Sequence, residues 1–247
     1  MKPQFTSEIR RVSSLNHELK ARMYLLFQTY YRDVTEKLFL SDLSDKNYVL
    51  LFWDKKPTPE PLVGFSALYV RTETSRAITI FSGDTVLHER CWGSKILQKS
   101  FSKFIAVTKF RNTHRKVYWM LMSKGYKTYL LMRKNFPVSY PNYLGATPKQ
   151  CLQVRNEFYH KRYGQAFDDK TSLIRFDEPH GAVKEEIAVP SPAAIQADPE
   201  IAYFIKANPN YLAGDELACI AEIRLRDIAY TMTKYVFGKK AAKNGKK

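Results

Sequence analysis

The chain has 247 residues, 45% of them hydrophobic and 14% aromatic, with a formal net charge of +16. This is enough apolar material for one large domain or two small ones. Cys91, Cys151 and Cys219 stand far apart without a CxxC pair, which excludes a disulfide framework and fits reduced thiols in a cytoplasmic setting. The five histidines are scattered, so no metal site is expected. The start MKPQFTSEIRR has no apolar h-region and reads as no signal peptide. No apolar run approaches the roughly 20 residues that span a bilayer.

Leu15, Leu19, Met23, Phe27, Tyr30, Val34 and Leu38 recur at helical spacing and predict one long helix over 14–40, capped by Ser14. Tyr48 to Trp53 is an uninterrupted apolar run and predicts a buried strand. The segment DKKPTPEP (54–61) is a turn, because its three prolines fix φ and remove donors. Residues 62–71 and 76–81 complete an antiparallel meander, and Ser82-Gly83-Asp84 reads as a turn. Residues 86–95 lead into an amphipathic helix marked by Ile96, Leu97, Phe101, Phe104 and Ile105. A second buried strand follows at 117–122, Gly125 breaks it, and 126–132 has helical composition. Residues 136–148 form a loop, and 148–163 form a helix with Thr147 as cap and Pro148 at its first position.

Further on, 172–176 is expected to pair with 181–184, and VPSPAAIQA (189–197) reads as a flexible connector. A short helix at 199–207, a strand at 216–223 and a closing helix at 225–237 finish the pattern. This succession predicts an α/β fold with a mixed, mostly antiparallel sheet flanked by helices, carrying a C-terminal α+β extension. The expected division is 1–163 for the main domain, 164–238 for the extension and 239–247 for a disordered basic tail.

The charge is unevenly placed. From Arg90 to Asn156 there is no Asp or Glu, while the same window holds fourteen Lys and Arg. A surface of one sign repels itself, so such a stretch usually faces an anionic partner. Within it, Arg90-Cys91-Trp92-Gly93-Ser94-Lys95 stands where a strand passes into a helix. A helix N-terminus offers unpaired N–H groups and the positive end of the dipole. Gly93 permits close backbone approach, and Arg90 and Lys95 add full charges, which together make a pyrophosphate cradle. The competing reading is an ordinary turn whose glycine serves backbone conformation.

The order of elements, with Arg90-x-x-Gly93-x-Lys95 opening a helix, resembles the GNAT acyltransferase superfamily, whose signature there is Gln/Arg-x-x-Gly-x-Gly/Ala. Lys95 departs from the final Gly or Ala. The resemblance covers roughly 14–136. Later residues, among them Tyr118-Trp119, Lys124-Gly125-Tyr126, Asn135-Phe136, Tyr140-Pro141 and Asn208-Pro209, resemble an uncharacterised bacterial branch of that superfamily. The resemblance implies a GNAT-like fold, with acyl-CoA as co-substrate held at Arg90, Gly93, Ser94 and Lys95. Trp92 is placed to stack on the donor, or else belongs to the core.

Transfer to an amine has its own requirement. An amine of pKa near ~10.4 is protonated at pH 7, and deprotonating it costs roughly 4–5 kcal/mol at about 1.4 kcal/mol per pH unit. A base must take that proton, and an acid should protonate the leaving thiolate. Asp84, His88 and Glu89 are nearest in sequence to the cradle. If 86–90 is extended, His88 and Arg90 share one face and Glu89 takes the other. Each also has a plain structural role open to it: a turn residue, a hydrogen-bonded histidine and an ion pair. By the same resemblance the acid is a tyrosine on the helix after the apolar strand, where Tyr126 and Tyr129 stand three apart; aromatic packing is the alternative. Cys91 beside the cradle reads first as a small buried residue and only second as a nucleophile.

Three functions compete. The first is acyl transfer from acyl-CoA, or from an acyl carrier protein, to an amine; an anionic membrane surface is a further partner that the charge fits, in a cytoplasmic protein or one peripheral to the inner membrane. The second is nucleic-acid binding, which ranks lower because no known nucleic-acid motif is present. The third is a GNAT fold that binds its ligand without catalysis.

Overall fold

The computed structural model of the protein describes residues 4–74, 77–177, 182–183 and 188–237; for residues 73, 74, 182, 183, 236 and 237 it describes the backbone alone. In chain order the strands are β1 (Phe5–Arg11), β2 (Tyr31–Arg32), β3 (Tyr48–Asp54), β4 (Leu62–Thr74), β5 (Ala77–Leu87), β6 (Lys116–Ser123), β7 (Ser139–Tyr140), β8 (Phe167–Asp168), β9 (Leu173–Ile174), β10 (Ala182–Val183) and β11 (Glu216–Ile223). The helices are α1 (His17–Tyr30), α2 (Glu36–Ser44), α3 (Ile96–Phe110), α4 (Tyr126–Arg133), α5 (Lys149–Tyr163), α6 (Pro192–Ala197), α7 (Pro199–Ala207) and α8 (Leu225–Met232). They form two compact units: one of Met1–Phe27, Phe39–Val117 and Ile223–Lys247, the other of Gln28–Leu38 and Tyr118–Glu222.

In the first unit β1, β3, β4 and β5 are neighbours in that order, all antiparallel. Val49, Leu50, Leu51 and Phe52 of β3 are fully buried. A strand with no polar face needs cover on both sides. Leu51 pairs with Phe65, so Phe65 lies on the Leu51 face, and its ring meets Phe27 of α1 and Phe39 of α2. Tyr48 is three residues from Leu51 and therefore points to the other face. Its ring meets Phe104 of α3 at 5.7 Å. Helices thus flank both faces of a mostly antiparallel sheet, and α8 packs along α3.

In the second unit β6, β11, β9 and β8 are neighbours, and β7 also pairs with β11. Tyr118, Trp119, Met120 and Leu121 of β6 are buried, as is every residue of β11 except Glu222. The fully buried Phe204 of α7 stacks near Tyr129 of α4 and Tyr211.

Several expectations need correction. The single helix over 14–40 is two, α1 and α2, separated by β2 and by Asp33 at φ 58°. Helical spacing continued through the break because both pieces face the same aromatic cluster. Strand β1 carries Glu8, Arg10 and Arg11, whose polarity hid it in the sequence. Residues 82–84 are not a turn: Ser66 pairs with Thr85 and Leu68 with Ser82, so Gly83 and Asp84 together oppose Ala67 in a bulge within β5. A Cβ on Gly83 would meet Lys46 Cε at 2.7 Å, because the buried Lys46 side chain lies across it. Strand β9 pairs with β8 and β11, whereas Ala182–Val183 pairs with β2. The 189–197 connector contains α6, capped by the Ser191 side chain with Pro192 at its start. Residues 239–247, and with them the expected basic tail, lie outside the described residues.

Candidate functional site

The first unit holds the segment from Asp84 to Lys95. Strand β5 ends at Leu87, and 89–91 form a 3-10 turn, so the extended run that would put His88 and Arg90 on one face is absent. His88 caps that turn: its Nδ1 accepts the Arg90 N–H at 3.1 Å. Acceptance at Nδ1 leaves the proton of the neutral ring on Nε2. Partial burial lowers the His88 pKa, and the Arg90 charge lowers it further against the opposing pull of Glu89. His88 is thus a neutral capping group whose free-acceptor nitrogen is already used.

Arg90 is also engaged. Its guanidinium donates to the Glu60 carbonyl at 3.0 Å and stands 3.6 Å from the Asp54 carboxylate. The Trp92 ring is half exposed and its Nε1 donates to the Leu87 carbonyl at 2.9 Å, outside the core. The Cys91 thiol is buried against the Val63 and His88 carbonyls, and burial pushes its pKa up to about 11 despite the nearby Arg90.

Gly93 has φ +75°, a conformation that favours glycine, and a Cβ there would find nothing within 4 Å. The Ser94 hydroxyl donates to the Cys91 carbonyl at 2.6 Å and accepts the Ile96 N–H at 3.3 Å. Lys95 is left-handed at φ 60° and exposed, its ammonium 5.9 Å from the Tyr235 ring centre. Among the described residues the backbone N–H groups of Gly93, Lys95, Leu97 and Gln98 have no hydrogen-bond partner. They lie at the start of a 15-residue helix with no acidic residue in its first turn, just after Gly93 and its open Cβ position. Such a terminus binds anions through its N–H groups and dipole. Of the residues expected to form a cradle, Arg90 and Ser94 are engaged within the protein, while Gly93 and Lys95 are exposed.

The carboxylates differ in setting. Asp84 is half-buried at the β5 bulge, and Glu89 is exposed on the 3-10 turn.

Tyr126 and Tyr129 belong to the second unit. Gly125 caps α4, Tyr126 begins it half-buried, and Tyr129 is fully buried one turn on. The Tyr129 hydroxyl lies 2.5 Å from Glu200 Oε2 and 3.1 Å from the Pro141 carbonyl. Burial, then the bond to Glu200, raises its pKa far above the ordinary phenol. Arg133 Nε donates to Glu200 Oε1 at 2.7 Å, and its Nη1 donates to the Ser139 carbonyl and hydroxyl. Glu200 carried no signal in sequence, since it reads as a first-turn helix residue and its partners lie about seventy positions away.

No known family model matches this chain, and no curated protein does. Solved structures similar to it include a GNAT family N-acetyltransferase of Escherichia coli in complex with CoA, at 12% identity and TM-score 0.37, covering 50% of this chain and 66% of that one. An acyl-CoA N-acyltransferase from Pseudomonas aeruginosa matches at 13% identity and TM-score 0.39, over 57% of this chain and 93% of that one. Arabidopsis thaliana NAA60 in complex with a bisubstrate analogue matches at 12% identity and TM-score 0.40, over 52% and 82%. Among the described residues, no helix is long and apolar enough to cross a membrane.

Proposed function

We propose that this protein is a GNAT-like N-acyltransferase that binds acyl-coenzyme A at the start of α3 and transfers the acyl group to an amine. The observation that carries this reading is the set of unpartnered N–H groups at the start of α3, beside an open Gly93 and in a stretch without a carboxylate. The residue pattern of 90–95 supports it by resemblance. Gly93, Lys95, Leu97 and Gln98 would hold the pyrophosphate by N–H donation, with the Lys95 ammonium adding charge. The bound donor supplies a thioester, and an acyl carrier protein offers the same group on a protein.

Asp84 is the base in this reading. Its carboxylate is half-buried at a bulge, and bulges re-aim side chains toward sites. His88 Nδ1 is taken by Arg90, and Glu89 is solvated. Of the two tyrosines, Tyr129 is set aside as an acid, because its hydroxyl is held by Glu200 and its pKa is raised.

The test is thermal stability with coenzyme A, acetyl- and long-chain acyl-coenzyme A, and an unrelated RNA at physiological salt. A ligand at about 100 times its dissociation constant adds about 2.7 kcal/mol. Stabilisation graded by acyl chain is expected. Stabilisation by RNA alone, or by nothing, removes the site. Asp84→Asn should lower turnover by about 100-fold with donor binding retained; equal turnover removes Asp84 as base.

A second reading, donor binding without turnover, is favoured by one observation. Two of the residue types suited to proton transfer, His88 and Tyr129, serve as a cap and a buried clasp. Donor-induced stabilisation with no product from any amine tested would support it.

A further inference from the structure

We propose that the solvent face of α3 is a docking surface for an anionic phospholipid leaflet. At 100° per residue, Lys99, Phe110, Lys103 and Val107 fall within roughly 80° of arc on this helix, and Arg111 follows at its end. The opposite side, with Leu97, Phe101, Phe104 and Ile105, is buried. Phe110 is 61% exposed and Val107 40%, and Lys99, Lys103 and Arg111 are exposed beside them.

Charge complementarity selects the occupant. Among the described residues, none of Lys99, Lys103 and Arg111 pairs with a carboxylate, and no acidic residue occurs between Arg90 and Asn156. A row of uncompensated cations repels itself until an anionic surface neutralises it. Interleaved apolar groups narrow the choice further. Val107 has no ring to stack on a base and no donor for phosphate, so nucleic acid leaves it unused. A headgroup layer uses both kinds of residue: Phe110 and Val107 enter the acyl boundary while the lysine stems lie along it and keep their ammonium groups among the phosphates. The surface begins one turn beyond Lys95, and its argument uses none of the donor-binding N–H groups.

The experiment is flotation of the full chain with vesicles of phosphatidylcholine alone, and of phosphatidylcholine with about one third phosphatidylglycerol, at physiological salt. Binding to the anionic vesicles alone is expected. Each basic residue near such a leaflet is worth about five-fold in partitioning, so K99E/K103E should bind at least about 25-fold more weakly. Phe110→Ser should weaken binding several-fold and leave its salt dependence unchanged. All these side chains are exposed, so the variants should melt with the parent chain, and coenzyme A stabilisation measured alongside should persist in Phe110→Ser. Equal affinity for both vesicle types, absence of vesicle binding, or vesicle binding untouched by K99E/K103E would overturn the proposal. So would an RNA or acidic protein captured through these lysines while vesicles are ignored.

Discussion

The Arg90 guanidinium reaches the Glu60 carbonyl at 3.0 Å and stands 3.6 Å from the Asp54 carboxylate, fastening the 3-10 turn after β5 to the proline-rich turn after β3. The most conspicuous cation of the candidate cradle is therefore a strut. Arg90→Ala should cost about 0.5–1 kcal/mol in urea unfolding, as expected for a half-exposed charged donor, and change coenzyme A affinity only a few-fold. Lys95→Ala should leave stability unchanged and weaken that affinity more. The reverse order, read by calorimetry, would return Arg90 to the phosphate.

The same strut gives an acid limb. The Lys56 N–H bond, then the Gln4 side chain and the Arg90 charge, hold the Asp54 pKa below its usual 3.8 against a desolvation penalty. A carboxylate with a lowered folded pKa contributes stability that is present above the unfolded value and lost as pH falls through the folded one. Asp54→Asn should therefore flatten the fall in stability below pH about 3.8. An unchanged acid limb in a pH series of melting curves would show that other groups set it.

Gly93→Ala separates backbone from ligand. At φ +75° a Cβ is strained by about 1–2 kcal/mol, yet it meets no neighbour in the free protein. A modest loss of stability is expected together with loss of coenzyme A stabilisation, since the methyl group fills the approach. Coenzyme A stabilisation equal to the parent's would place the donor elsewhere.

Tyr129 and Glu200 make a buried clasp between α4 and α7. Removing the hydroxyl leaves Glu200 Oε2 and the Pro141 carbonyl short of a donor, so Tyr129→Phe should cost about 1–3 kcal/mol. Arg133→Ala strands a buried carboxylate and should cost about 3–5 kcal/mol. Activity in Tyr129→Phe should survive once the protein is folded. Loss of activity in Tyr129→Phe at full stability would return Tyr129 to the reaction.

Cys91 is protected twice, by burial and by a pKa pushed up to about 11. At pH 8 about one thiol in a thousand is ionised. Iodoacetamide should leave the native protein unmodified at this position over hours, by mass spectrometry, and Cys91→Ala should keep turnover. Rapid alkylation without unfolding would restore Cys91 as a candidate nucleophile.

Local chemistry was readable wherever one signal dominated. Apolar runs gave β3, β6 and β11, Pro148 marked the start of α5 although it is itself the cap in place of Thr147, and the missing carboxylates drew attention to 90–156. The helix after Gly93 was legible from its amphipathic run, while the left-handed φ of Gly93 came only with the structure. Polar β1, the bulge at Gly83–Asp84 and the break at Asp33 were not, because a partner strand or a packed helix decides each. The sequence by itself determined where charge accumulates and which segments must be buried, since these follow from composition and periodicity. Only the tertiary structure decided which charges are spent: it paired Arg90 with Asp54, used His88 as a cap, closed Tyr129 onto Glu200, and left Lys99 and Lys103 facing solvent. Those outcomes depend on residues far apart in the chain, and no local pattern records which of them meet.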